Sequence, residues 1–146
     1  MRKVLFLDFD GVLHRYQSGT FTKVPLVVEF LRDHPDIDVV ISSTWRYDNS
    51  LDELRQIFPV DIEHRIIAVT PDLSETTGRI ARGFARITEI EAWLRGAGED
   101  IVWRALDDEP GLFPHGAEKV VFTNSAEGVT PADIERLEQS FAGASV

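Results

Sequence analysis

The first thirteen residues, MRKVLFLDFDGVL, constrain the fold more than any other stretch. Val4 to Leu7 is a continuous apolar run. It reads as a strand buried on both faces, the kind found inside a parallel sheet. Asp8 and Asp10 follow, separated by Phe9 and succeeded by Gly11. A strand ending this way sets two carboxylates at the carboxyl edge of a sheet, where open α/β folds bind ligands. Two acids so close repel, and their burial is costly unless compensated. A divalent cation is the usual compensation. Gly11 lets the backbone turn sharply beside them. The alternative is a strand whose aspartates merely begin a turn, since Asp-Gly pairs are common in turns.

Strand-like runs recur along the chain. Ile37–Ile41 predicts a second strand, a third lies within Ile62–Val69, centred on residues 65–69, and Ile101–Leu106 and Lys119–Phe122 predict a fourth and fifth. Between them, Pro25 opens a helix over Leu26–Asp33. Asn49 or Ser50 caps another over Leu51–Phe58, stopped by Pro59. Residues 14–25 read as a small hairpin around Ser18-Gly19, with His14 as a solvated loop histidine. Residues 70–78 read as a polar loop, too short for a cap domain. Gly83 argues against one continuous helix through Arg79, Arg82 and Arg86. A helix is therefore expected to start near Arg86, with Ile87, Ile90, Trp93 and Leu94 facing the sheet. Thr130-Pro131 caps a last helix that buries Ile134, Leu137 and Phe141.

Three further polar groups sit where strands or helices begin or end. Ser42, Ser43 and Thr44 follow the second strand; they are phosphate donors or the cap of a turn, and Trp45 packs at the rim. Arg86 stands at a helix start, where it either reaches an anion or pairs with Glu89 and Glu91. Asp107-Asp108 closes the fourth strand and repeats the charge problem of Asp8 and Asp10; the bland reading is an acidic turn before Pro110.

Asp8-Phe9-Asp10-Gly11-Val12-Leu13 after a short apolar strand resembles the first motif of the haloacid dehalogenase (HAD) superfamily, in its phosphatase branch with a minimal cap. The other motifs of that superfamily follow in order: Ser43, with Ser42 as the alternative register; Arg86, where Lys is commoner; and Asp107-Asp108. The surroundings of Ser43-Thr44-Trp45-Arg46 are also similar to small HAD domains of RNA-repair proteins. The resemblance spans essentially the whole chain, read as one domain over residues 1–146. It implies a three-layer α/β sandwich with a central parallel five-stranded sheet in the order 5-4-1-2-3, a small flap and no separate cap domain.

The resemblance also implies a Mg²⁺-dependent phosphoester hydrolase. Asp8 would be the nucleophile that forms an aspartyl-phosphate, and Asp10 the general acid and base. The metal would be held by Asp8, the main-chain carbonyl of Asp10 and Asp108, with Asp107 in support. Gly11, Ser43, Thr44 and Arg86 would hold the phosphoryl group. A phosphorylated small molecule, a nucleotide or a nucleic-acid end is the expected substrate. Other uses of such a site are a receiver-like phosphate switch and a phosphotransferase. The acid at position 10 argues for hydrolysis, because a switch has no leaving group to protonate.

Composition narrows the partners. The net charge of −10 works against binding long nucleic acids. The absence of cysteine excludes disulfides and thiolate metal sites and fits a reducing cytosol. The apolar run that Asp8 interrupts is too short for a signal peptide or membrane span.

Overall fold

The computed structural model describes residues 2–73 and 81–144. Five parallel strands form one sheet in the order β3-β2-β1-β4-β5. They are β1 (Arg2–Leu7), β2 (Ile37–Ile41), β3 (Ile66–Val69), β4 (Ile101–Asp107) and β5 (Val120–Phe122). The order and direction are those expected. Lys3 to Leu7 pair with Ile37 to Ile41 on one side, and Arg2 to Leu7 with Ile101 to Leu106 on the other. Flanked on both sides, β1 is buried along Val4–Leu7, which explains its uninterrupted apolar run.

Alternate side chains of the strands feed two cores. Leu5, Leu7, Val39, Ile41, Val102 and Leu106 pack with α1 (Val24–Asp33), α2 (Leu51–Arg55), α3 (Val60–Glu63) and α5 (Pro131–Phe141). Val4, Phe6, Val40 and Ala105 face α4 (Ala81–Ala97), with Ile90 buried and Ile87, Trp93 and Leu94 partly so, as expected. Phe6 meets the rings of Trp93 and Trp103 edge-on, at 5.7 Å each. Helices on both faces of the sheet make three layers.

Four local expectations are corrected. Residues 14–23 form turns rather than a hairpin, with only an isolated bridge between Asp10 and His14. Helix α2 ends at Arg55, not Phe58, because Pro59 disfavours helical backbone before it. Helix α3 intervenes before β3, so Ile62 packs from a helix and β3 starts at Ile66. Arg65, expected in that strand, instead turns its guanidinium onto the carbonyl oxygens of Leu31, His34 and Ile37. The expected helix break is present at Phe84, whose φ of −127° and ψ of 68° are non-helical. Arg79 and the side chain of Arg82 lie outside the described residues.

Candidate active site

Parallel strands send all their carboxyl ends to one edge, and the candidate residues meet there. Asp8 follows β1 and is anchored as its N–H donates to Leu106 O (3.1 Å). Ser42 follows β2, its N–H donating to Leu7 O (3.0 Å). Asp107 ends β4 and Asp108 follows it. Asp8, Asp107 and Asp108 each offer a carboxylate oxygen within 4.8 Å of the others. Asp8 and Asp107 are buried.

Among the described residues, Arg86 from α4 is the cation that faces them. Its Nη1 lies 3.4 Å from Asp8 Oδ1 and its Nε 3.3 Å from Asp107 Oδ2. Nη1 also donates to the carbonyl of Ser42. Of the two sequence readings, pairing with Glu89 is not the one adopted: Glu89 binds Arg46 Nη2 at 2.7 Å. Arg46 also donates to the carbonyls of Ser42, Ser43 and Thr70, tying the ends of β2 and β3 to α4.

One arginine does not neutralise three acids. Burial pushes the Asp8 carboxyl well above the ordinary carboxylate range, and the charge of Asp107 adds to the push while Arg86 opposes it. Burial likewise lifts Asp107 to about 6, against the opposing charge of Arg86. Asp107 Oδ1 accepts from Glu109 N–H (3.0 Å), whereas Oδ2 is buried and accepts no hydrogen bond among the described residues, its contact with Arg86 being ionic only. A hard cation with oxygen ligands satisfies this donor set.

Gly11 makes room for the third acid. Its φ is +74°, and a Cβ there would lie 2.0 Å from Asp108 Oδ2. Ser125 Oγ donates to that same oxygen at 2.7 Å, and Thr123 Oγ1 donates to Gly11 O at 2.7 Å. Gly11 is thus a spacer beside Asp108.

Asp10 is set apart from the cluster. Its side chain is 26% exposed and faces a cleft divided into two parts of about 350 and 440 Å³. The first part is also lined by Gln17, Thr44 and Trp45, the second by Tyr16, Gln17, Asp108 and Ser125. A larger groove of about 730 Å³ beside α4 and the end of β3 touches none of Asp8, Asp10, Asp107 and Asp108. Asp10 Oδ1 meets His14 Nε2 at 2.7 Å and accepts from Trp45 Nε1 at 2.9 Å.

Two expectations change here. His14 is not a solvated loop residue but fully buried, because the turns after Gly11 fold it back under Phe21 and Trp45. Trp45 packs on Phe9 and Phe21 as expected of a rim residue, yet its indole N–H is spent on Asp10. No local sequence pattern signals this contact, which depends on the packing of His14 against Phe21 and Trp45. Ser43 caps the 3₁₀ turn Thr44–Tyr47, its Oγ accepting from Trp45 N–H (3.2 Å). Its own hydroxyl hydrogen remains for another acceptor. Ser42 and Ser43 are both buried, and Thr44 is exposed on the cleft.

No curated protein matches this chain. Residues 4–134 match the family described as the HAD domain in Swiss Army Knife RNA repair proteins, and the chain, matched over nearly its whole length with its strand-end acids and serines and the α4 arginine gathered at one edge, belongs to that family.

Proposed function

We propose that this protein is a Mg²⁺-dependent phosphoester hydrolase that works through an aspartyl-phosphate on Asp8. The observation that carries the reading is the division between the two acids of the first motif. Asp8 is buried beside Asp107 and Arg86, with the half-buried Asp108 completing the cluster, whereas Asp10 stands outside that cluster and faces the cleft. A nucleophile and a proton carrier need such different surroundings.

Asp8, Asp108 and the main-chain carbonyl of Asp10 would hold the cation, with Asp107 supporting it. Bound there, Mg²⁺ would offset the repulsion among the carboxylates and polarise a phosphoryl oxygen. An Asp8 carboxylate oxygen attacks phosphorus, and the bond to the leaving oxygen breaks as Asp10 delivers its proton to that oxygen. Water then attacks the aspartyl-phosphate, gives its proton to Asp10 and restores the Asp8 carboxylate. Arg86, already 3.4 Å from Asp8, offsets the charge gathering on the transferred group. The hydroxyl of Ser43, with Thr44 and the turn at Gly11, completes the phosphate cradle; Ser42 is the neighbouring alternative.

The substrate is a phosphorylated small molecule, a nucleotide or a nucleic-acid end. The family's occurrence in RNA repair proteins supports the latter two. Tyr16, exposed beside Asp10 and Asp108, offers a ring on which a base can stack. The charge of −10 favours an end over a long polymer. No helix among the described residues is long and apolar enough to cross a membrane.

The test is hydrolysis of p-nitrophenyl phosphate and a panel of phosphorylated metabolites, nucleotides and phosphate-ended oligonucleotides, with Mg²⁺ and with chelator. Mg²⁺-dependent release of phosphate, abolished in a folded Asp8→Asn protein, is expected. Undiminished turnover by that variant would remove Asp8 from its role.

A further inference from the structure

We infer that His14 and Trp45 form a two-donor clamp that fixes Asp10 and assigns its proton-carrying oxygen as Oδ2. The inference rests on the proposed role of Asp10 and adds two positioning residues to it. An indole nitrogen is only ever a donor, so Asp10 Oδ1 accepts at the 2.9 Å contact with Trp45. The 2.7 Å contact with His14 then has the same sense. His14 Nδ1 is buried without a hydrogen-bond partner among the described residues, so placing the ring's hydrogen there would orphan an N–H. The hydrogen therefore resides on Nε2, and both donors converge on one oxygen of Asp10. An oxygen that accepts from two fixed donors is the carbonyl-type oxygen of the protonated acid. Oδ2 has no hydrogen bond among the described residues and belongs to a side chain that lines the cleft.

The consequence is a proton carrier that need not rearrange between the two half-reactions. In the first, the hydrogen on Oδ2 passes to the leaving oxygen as its bond to phosphorus breaks. In the second, water's hydrogen passes to Oδ2 as water's oxygen bonds phosphorus and the bond to Asp8 breaks. Oδ1 accepts the same two hydrogen bonds throughout. The clamp is itself held by aromatic packing, since His14 and Trp45 both lie against Phe21, at 4.6 and 5.1 Å between ring centroids.

The experiment uses Trp45→Phe, which deletes the indole N–H while keeping a ring, and His14→Gln, which keeps a donor, against His14→Ala. For kcat/KM, which ends at leaving-group release, Trp45→Phe should cost roughly tenfold with an alkyl phosphate, the worth of one hydrogen bond. It should cost far less with p-nitrophenyl phosphate, which departs unprotonated. The alkyl loss should vanish when Asp10 is already Asn, and His14→Gln should recover activity lost in His14→Ala. Equal losses with both esters, or an undiminished loss in the Asp10→Asn background, would overturn the clamp. A readout independent of turnover is the Trp45 indole N–H resonance of isotope-labelled protein. It should shift in Asp10→Ala while those of Trp93 and Trp103 stay. An unmoved resonance overturns the clamp even if the wild type hydrolyses phosphoesters; a shifted one in a protein inert toward every ester sinks the hydrolase reading and leaves the contact standing.

Discussion

Asp8 and Asp10 are two residues apart, yet chemistry and surroundings separate them. One is buried among carboxylates and an arginine, the other half-open to a cleft and gripped by two donors. Gly11 shows how little latitude the turn between the site's halves has. A methyl group there would overlap the Asp108 carboxylate, and the φ of +74° adds strain. Gly11→Ala should therefore fold with a loss of about 1–3 kcal/mol and bind Mg²⁺ more weakly, because Asp108 must move. Thermal melts and metal titrations would check both; unchanged metal affinity would contradict the spacer role. Asp108→Ala should weaken Mg²⁺ more than Asp107→Ala, since Asp107 already faces Arg86. The opposite order in metal titrations would exchange the two roles.

Among the elements, the buried arginines do more than their number suggests. The Arg65 guanidinium serves the carbonyls of Leu31, His34 and Ile37, binding the end of α1 to the start of β2 and β3. Arg65→Met should lower stability by about 2–4 kcal/mol, removing three hydrogen bonds to main-chain carbonyls, as denaturant titration would show. A loss below about 0.5 kcal/mol, typical of surface substitutions, would mean water replaces those bonds. This staple was not legible in the sequence, where Arg65 reads as one more residue of a strand. The strands themselves were legible, because burial on both faces demands unbroken apolar runs such as Val4–Leu7 and Val39–Ile41. Loop conformations were not: the His14 turn depends on tertiary contacts with Phe21 and Trp45 that no local pattern encodes. The strand-end acids and the helix-start arginine were readable because topology brings such positions together. The partners of Asp10 were not, since a lone histidine and a tryptophan carry no spacing signature.

For the whole molecule, the charge problem at the sheet edge becomes a dependence of stability on pH and metal. Asp107 titrates near 6 in the folded protein and near the ordinary 3.8 when unfolded. The metal-free fold then holds more protons than the unfolded chain between those values, so this group's contribution is full below about 4 and lost as pH rises through about 6. Asp8, also raised, acts in the same direction. Asp107→Asn should therefore gain stability relative to wild type as pH climbs from about 4 to above 6, by at most about 3 kcal/mol. Melting of both proteins in chelator would show it, and a gap that stays flat with pH would contradict the burial argument. Added Mg²⁺ should raise the wild-type melting temperature most at the upper end of that range, where the carboxylates are charged.

The central claim is that Asp8 takes the phosphoryl group and Asp10 handles protons. Asp10→Asn tests it most directly. The amide can still accept from His14 and Trp45 through its oxygen, so the fold and the main-chain carbonyl survive. The loss should be roughly 10²–10⁴ for an alkyl phosphate and much smaller for the phosphorylation step with an aryl phosphate. The second step lacks its base for either ester. Rapid quench of Asp10→Asn with p-nitrophenyl phosphate and Mg²⁺, followed by intact-mass and peptide analysis, should show one phosphoryl group on Asp8 that chelator prevents from forming. Equal losses for both esters with no phosphoenzyme, or a phosphoryl group on another residue, would contradict the account.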